Sequence, residues 1–170
     1  MTRFMARRGA LLLSIIALLF QSPGIGQATG TRTIGPFAVI TNDKPDGRKD
    51  VAVIVSGPGA PFGLAMRCID ATLSVALVPL RDEGLFGIRG RTAAVSVQPA
   101  GRAATEMAGR VTEDRALHLA APAPMLGLVL ATQHMAVSVP DATGATAEAR
   151  FDLRLAERAL VDLVGNCPAR

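Results

Sequence analysis

From residue 37 to residue 153 the chain carries short runs of alternating or β-branched apolar residues, each closed by Gly, Pro, Asn or Asp. A period of two with frequent punctuation predicts strands joined by turns. Residues 37–41 and 51–55 read as a hairpin around the polar loop 42–50. Leu64, Met66 and Cys68 alternate with Ala65, Arg67 and Ile69, which places Cys68 on the inward face of a strand. Leu73, Val75 and Leu77 continue the alternation after a turn at Asp70 and Ala71, and Pro79 ends that strand. Residues 85–97 read as one long strand interrupted by glycine, with Arg89 and Arg91 two apart and so on one side. Residues 99–109 read as a loop or a single helical turn, and 110–119 as extended. Prolines at 122 and 124 suit the start of a short helix over 125–131, though its apolar composition fits a buried strand equally. Residues 134–139 and 146–153 form the clearest hairpin, in which Ala147, Ala149, Phe151 and Leu153 face one way and Glu148, Arg150 and Asp152 the other.

The period changes only at the end. Leu160, Leu163, Val164 and Cys167 fall at i, i+3, i+4 and i+7, the spacing of a helix over 156–164 whose apolar stripe carries Cys167 to the core. These elements imply a mainly β fold with a C-terminal helix: a compact antiparallel β-sandwich or rolled sheet in a single domain.

The first 28 residues stand apart. Arg3, Arg7 and Arg8 precede the apolar run 10–20, and Gly26, Gln27 and Ala28 have the small-x-small form of a cleavage site. The run is about half of the roughly 20 residues a membrane span needs, so residues 1–28 read as a removable signal peptide. No stable membrane insertion is expected after cleavage, and the protein is expected to be periplasmic or secreted. Residues 29–35 read as a flexible entry segment and 36–170 as the β-rich domain closed by its helix.

Composition refines this picture. The formal charge of +4 belongs mostly to the leader: three of the 18 basic residues and none of the 14 acidic ones lie in residues 1–28, leaving 15 against 14. That near-neutral balance argues against nucleic acid as a partner. With no Trp or Tyr, the core is aliphatic and there is no aromatic platform for sugars or bases. In an oxidising compartment the two cysteines are most simply one disulfide, Cys68 to Cys167, stapling the helix to the strand of Leu64 and Met66.

The residues do not compose a catalytic site, a metal centre or a cofactor loop. His118 and His134 fall on separate elements and read as ordinary half-buried histidines, without the converging ligands zinc requires. Ser56, Ser74, Ser96 and Ser138 lie outside any Gly-x-Ser-x-Gly elbow. The stretch 56–61 is rich in Gly and Pro, but no helix opens after it to hold a phosphate. Arg67, Arg89 and Arg91 form the candidate binding face, able to contact an anion if neighbouring strands bring them together.

An exported chain with Leu64-Ala-Met-Arg-Cys-Ile-Asp70 running into Leu73-Ser-Val-Ala-Leu77, then Ala149-Arg-Phe-Asp-Leu153 before Ala159, Leu160, Leu163 and Cys167, resembles the VasI/TagO-type proteins associated with type VI secretion. The resemblance spans most of the chain after the leader. It implies a small periplasmic β domain framed by an Arg-Cys strand and a terminal Cys, acting as a non-catalytic accessory that docks on an envelope or secretion-apparatus protein. The residues themselves leave open a periplasmic small-ligand or anion-binding module. A third class is an envelope hydrolase, marked by a deep pocket in which two carboxylates, or a carboxylate and His118 or His134, approach one another.

Overall fold

The computed structural model describes residues 30–167; the expected signal peptide lies outside them. Ten strands and two helices follow in the order β1 (Gly30–Ile34), β2 (Phe37–Asp43), β3 (Lys49–Val55), β4 (Phe62–Ile69), β5 (Thr72–Pro79), β6 (Thr92–Pro99), β7 (Thr105–Val111), β8 (Leu117–Leu119), α1 (Pro122–Ala131), β9 (His134–Pro140), β10 (Thr146–Asp152) and α2 (Ala156–Asn166). All ten strands belong to one antiparallel sheet, ordered β1-β2-β3-β4-β5-β8-β7-β6-β9-β10. Strands that follow one another as hairpins pair as the alternation predicts. The crossovers are the pairs β5–β8 and β6–β9.

The sheet is rolled. Phe62 on β4 and Phe151 on β10 are six strand spacings apart, which would separate them by about 29 Å in a flat sheet. Their ring centroids lie 6.4 Å apart, and Phe86 packs on Phe62 at 5.8 Å. The two halves of the sheet therefore enclose one aliphatic core, in which Val53, Leu64, Met66, Leu77, Val95, Leu117 and Val137 are fully buried. The two halves are joined where β5 meets β8, a short junction with only the pairs Ala76–His118 and Leu77–Leu117. At the roll's other side the β3–β4 connection sits so close to β10 that a Cβ on Gly57 would lie 2.2 Å from the Arg150 carbonyl.

Helix α1 begins with proline at its first turn and buries Met125, Leu126 and Val129 in the core, which resolves the choice between helix and strand there. Helix α2 packs on β2, β3 and β4 through Ala156, Ala159, Leu160 and Leu163. Its buried stripe differs from expectation at Val164, which is 37% exposed. Cys167 caps the helix and is joined to the fully buried Cys68, across a sequence separation of 99.

Four segments depart from the sequence reading. Residues 30–34 of the entry segment expected to be flexible form the edge strand β1, paired with β2 from Gly30–Thr41 to Ile34–Phe37. Residues 85–91 are turns rather than strand: Gly87 and Gly90 take φ of 85° and 86°, which turns the chain and buries Phe86. Residues 105–109, expected in a loop, belong to β7. Residues 112–116 break the expected extended run 110–119 into the β7–β8 turn, with Arg115 at φ 58°.

The β4–β5 turn is a two-residue connection in which Asp70 and Ala71 both adopt left-handed backbone, φ 51° and 58°. The Asp50 carboxylate accepts the Asp70 N–H at 3.1 Å, and Lys44 pairs with both Asp50 and Asp70. Those contacts hold the Lys44 ammonium above its usual range and the Asp70 carboxyl below its own, in each case chiefly through the hydrogen bond between them.

Candidate functional site

The face of the sheet turned away from the core carries the candidate site. Cross-strand pairing aligns one row of side chains on that face: Ala38, Ile54, Ala65, Ala76, His118, Arg110 and Thr92. Arg67 is two residues from Ala65 on β4 and so lies on the same face, opposite Ser74. The chain leaving β5 and the β7–β8 turn border this face. Ile54, Ala65, Ala76, Val78 and Ala116 form a second buried apolar cluster, separate from the main core.

Beside this cluster, with Val78 and Ala116 in its lining, lies a groove of about 1230 Å³. Its walls are the chain leaving β5 (Leu80, Arg81, Glu83), the β7–β8 turn (Thr112 to Ala116), and Arg89, Gly90 and Arg110. Arg67 and His118 lie deeper, with side chains 14% and 22% exposed. Five arginines and three carboxylates thus surround the groove, a formal excess of two positive charges with His118 neutral.

The carboxylates are all engaged. Asp114 lies at the centre, with His118 Nε2 3.2 Å from its Oδ2 and Arg67 Nη2 at 3.9 Å. The Thr112 hydroxyl donates to Asp114 Oδ1, and the Ala116 N–H donates to the same oxygen at 3.2 Å. Burial opposes the charge on Asp114, but the hydrogen bonds from His118, Thr112 and Ala116 outweigh it and hold the carboxyl well below the usual carboxylate range. Glu113 pairs with Arg89 at 2.8 Å and Glu83 with Arg115 at 3.5 Å, both at the exposed rim. Arg81 and Arg110 have no carboxylate partner among the described residues.

Of the three arginines singled out in the sequence, Arg67 and Arg89 meet in this groove and Arg91 does not. Arg91 Nη1 donates to the carbonyls of Phe86 (2.8 Å) and Pro140 (3.2 Å), and Nη2 to that of Asp141 (2.7 Å). It locks the 85–91 turns onto the β9–β10 turn. Its expected place beside Arg89 fails because the two lie in turns instead of on one strand face. Arg81, Arg110 and Arg115 were missed: Arg110 reaches the groove only through the β5–β8 and β7–β8 pairings.

The histidines separate. His134 is exposed at the start of β9, whereas His118 is half-buried and does approach a carboxylate in a groove, the mark set for a hydrolase. A nucleophilic relay needs a hydroxyl hydrogen-bonded to the histidine and a carboxylate orienting the ring from its other side. Here the Thr112 hydroxyl bonds to Asp114 rather than to His118. The carboxylate gathers the donors around itself, as the hub of a structural network. Among the described residues no group of three or more His, Cys, Asp or Glu is placed to hold a metal ion, and no helix is long and apolar enough to cross a membrane.

No protein-family model matches the chain, and no curated protein matches it. Among solved structures it is similar to the crystal structure of invasion associated protein B from Bartonella henselae, with a TM-score of 0.53 and 14% sequence identity, over 81% of this chain and 97% of that one. At that identity the likeness is one of fold: the two chains share the architecture over nearly the whole of the Bartonella protein.

Proposed function

We propose that this chain is an exported, non-catalytic accessory protein of the cell envelope that docks on an envelope protein through the arginine groove. The observation that carries the reading is the composition of that groove. Five arginines and three carboxylates line it on the face opposite the core, and each carboxylate is paired within the groove while Arg81 and Arg110 have no carboxylate partner among the described residues. Such a surface recognises charge and shape. The leader-like residues 1–28 and the buried disulfide support an extracytoplasmic location. The VasI/TagO-type sequence pattern supports a secretion-apparatus setting.

The test is a cross-linked pull-down of the mature, oxidised protein from the envelope of its own host, identified by mass spectrometry, with an Arg81→Ala/Arg110→Ala form beside it. Recovery of a secretion-apparatus component by the unmodified protein and its loss with the variant is the expected result. Recovery of no envelope protein by either form overturns the reading. The lack of internal partners on Arg81 and Arg110 also favours a second reading, a module for a small anion, which predicts a rise in thermal midpoint with phosphate or a dicarboxylate.

A further inference from the structure

We infer that the groove takes an extended acidic peptide segment, its carboxylates against Arg81 and Arg110; this rests on the docking reading above and names the chemistry of the docked partner. Three observations on one surface carry it. The groove's volume, about 1230 Å³, lies above the roughly 300–1,000 Å³ of sites that enclose a small molecule. It lies between the chain leaving β5 and the β7–β8 turn. Its lining carries Val78, Leu80 and Ala116 beside the charged side chains, so apolar surface lies next to the arginines.

The charges then sort into two sets. Arg67 is held at the base by Asp114, while Arg89 and Arg115 lean on Glu113 and Glu83 in exposed rim pairs. Pairs of that kind are worth little and exchange readily for a partner's carboxylates. Arg81 and Arg110 are exposed, have no carboxylate partner among the described residues, and supply the groove's excess charge. Guanidinium groups favour bidentate carboxylate contacts. In an extended chain the side chains on one side recur about every 6.8 Å, so alternate acidic residues present a row of carboxylates to the arginines.

The experiment is a fluorescence anisotropy titration of the mature, oxidised protein with a labelled peptide of alternating aspartate and alanine. The lysine–alanine peptide, free glutamate and inorganic phosphate serve as comparisons. The aspartate peptide is expected to bind, and to bind more weakly as salt is raised. Arg81→Ala/Arg110→Ala is expected to weaken it about tenfold or more. Because both side chains are exposed, the variant should keep its thermal midpoint, and Arg48→Ala, whose arginine pairs with Asp46 outside the groove, should leave affinity unchanged. Equal affinity of the double variant and the unmodified protein overturns the inference. So does free glutamate or phosphate binding as tightly as the peptide. If envelope capture still depends on the two arginines while the aspartate peptide fails, the inference falls and the docking reading stands. If the peptide binds and envelope capture fails, the docking reading falls alone.

Discussion

Replacing Cys68 and Cys167 together by alanine should lower the free energy of unfolding by about 5 kcal/mol. The disulfide closes 99 residues of chain, and the chain-entropy argument gives about 4.7 kcal/mol at 25 °C for a loop of about that length. Both cysteines are buried, so alanine introduces no hydroxyl into the core, and the space left by the sulfurs adds on the order of 1 kcal/mol at most. A domain of this size is stable by roughly 5–15 kcal/mol; the variant should therefore be marginal. The assay is urea unfolding followed by far-UV circular dichroism on the oxidised protein and the variant. Because the unlinked denatured chain is more expanded, the slope of free energy against urea should also rise. A loss under about 1 kcal/mol with an unchanged slope would refute the reasoning, since it would mean that the denatured chain gains nothing from being released. Proteolytic cutting confined to α2, with the sheet retained, would refute it differently, by showing that the bond holds one helix rather than the whole fold.

Three further outcomes follow from particular contacts. Ala71→Gly should raise stability by up to about 1 kcal/mol, because left-handed backbone costs an L-residue about 1–2 kcal/mol while glycine's unfolded-state freedom returns about 0.5–1; a lowered thermal midpoint would contradict the strain assigned to Ala71 at φ 58°. Arg91→Met should cost about 1–3 kcal/mol by stranding three carbonyls and leave binding of the aspartate peptide unchanged, so a binding loss at constant stability would return Arg91 to the site. Asp114 is held below the ordinary carboxylate value of 3.8, so its contribution is present above that value and lost as pH falls through the folded-state value. The difference in urea midpoint between Asp114→Asn and the unmodified protein should accordingly be constant near neutral pH and shrink below about pH 4; a gap that persists in acid would show that the network does not depend on the charge.

The hairpins were legible because their inward and outward positions differ in kind. In β9–β10, Met135, Val137, Ala149 and Phe151 are buried and Glu148 and Arg150 exposed, as alternation requires. Misreadings arose where that contrast fails. Leu85, Phe86 and Ile88 look like strand residues, but Gly87 and Gly90 bend the chain and leave Ile88 81% exposed. Strand β7 was hidden because one of its inward positions is Gly109, whose missing side chain makes room for Leu117: a Cβ there would lie 2.9 Å from Leu117 Cγ. The disulfide was legible since both cysteines sit at inward positions of strongly periodic elements. The groove was not. It is assembled by the pairing of β5 with β8, strands far apart in the chain, and no local pattern reports which arginines such a pairing gathers.

The rolled sheet also limits how copies of the protein can associate. A sheet with two open edges offers strands to neighbours on both sides and can add copies indefinitely, which is the geometry of a fibril. Here the two edges are unequal. Strand β1 is paired only with β2, whereas at β10 the Arg150 carbonyl is covered by Gly57 of the β3–β4 connection, in a contact too close for any side chain. An added strand at β10 would have to displace that connection and open the roll. Strand β1 is the less obstructed edge, and a β1-to-β1 pairing of two copies would be an isologous contact that closes on itself. A glycine in a loop thereby lets the chain cover one position of the sheet's far edge.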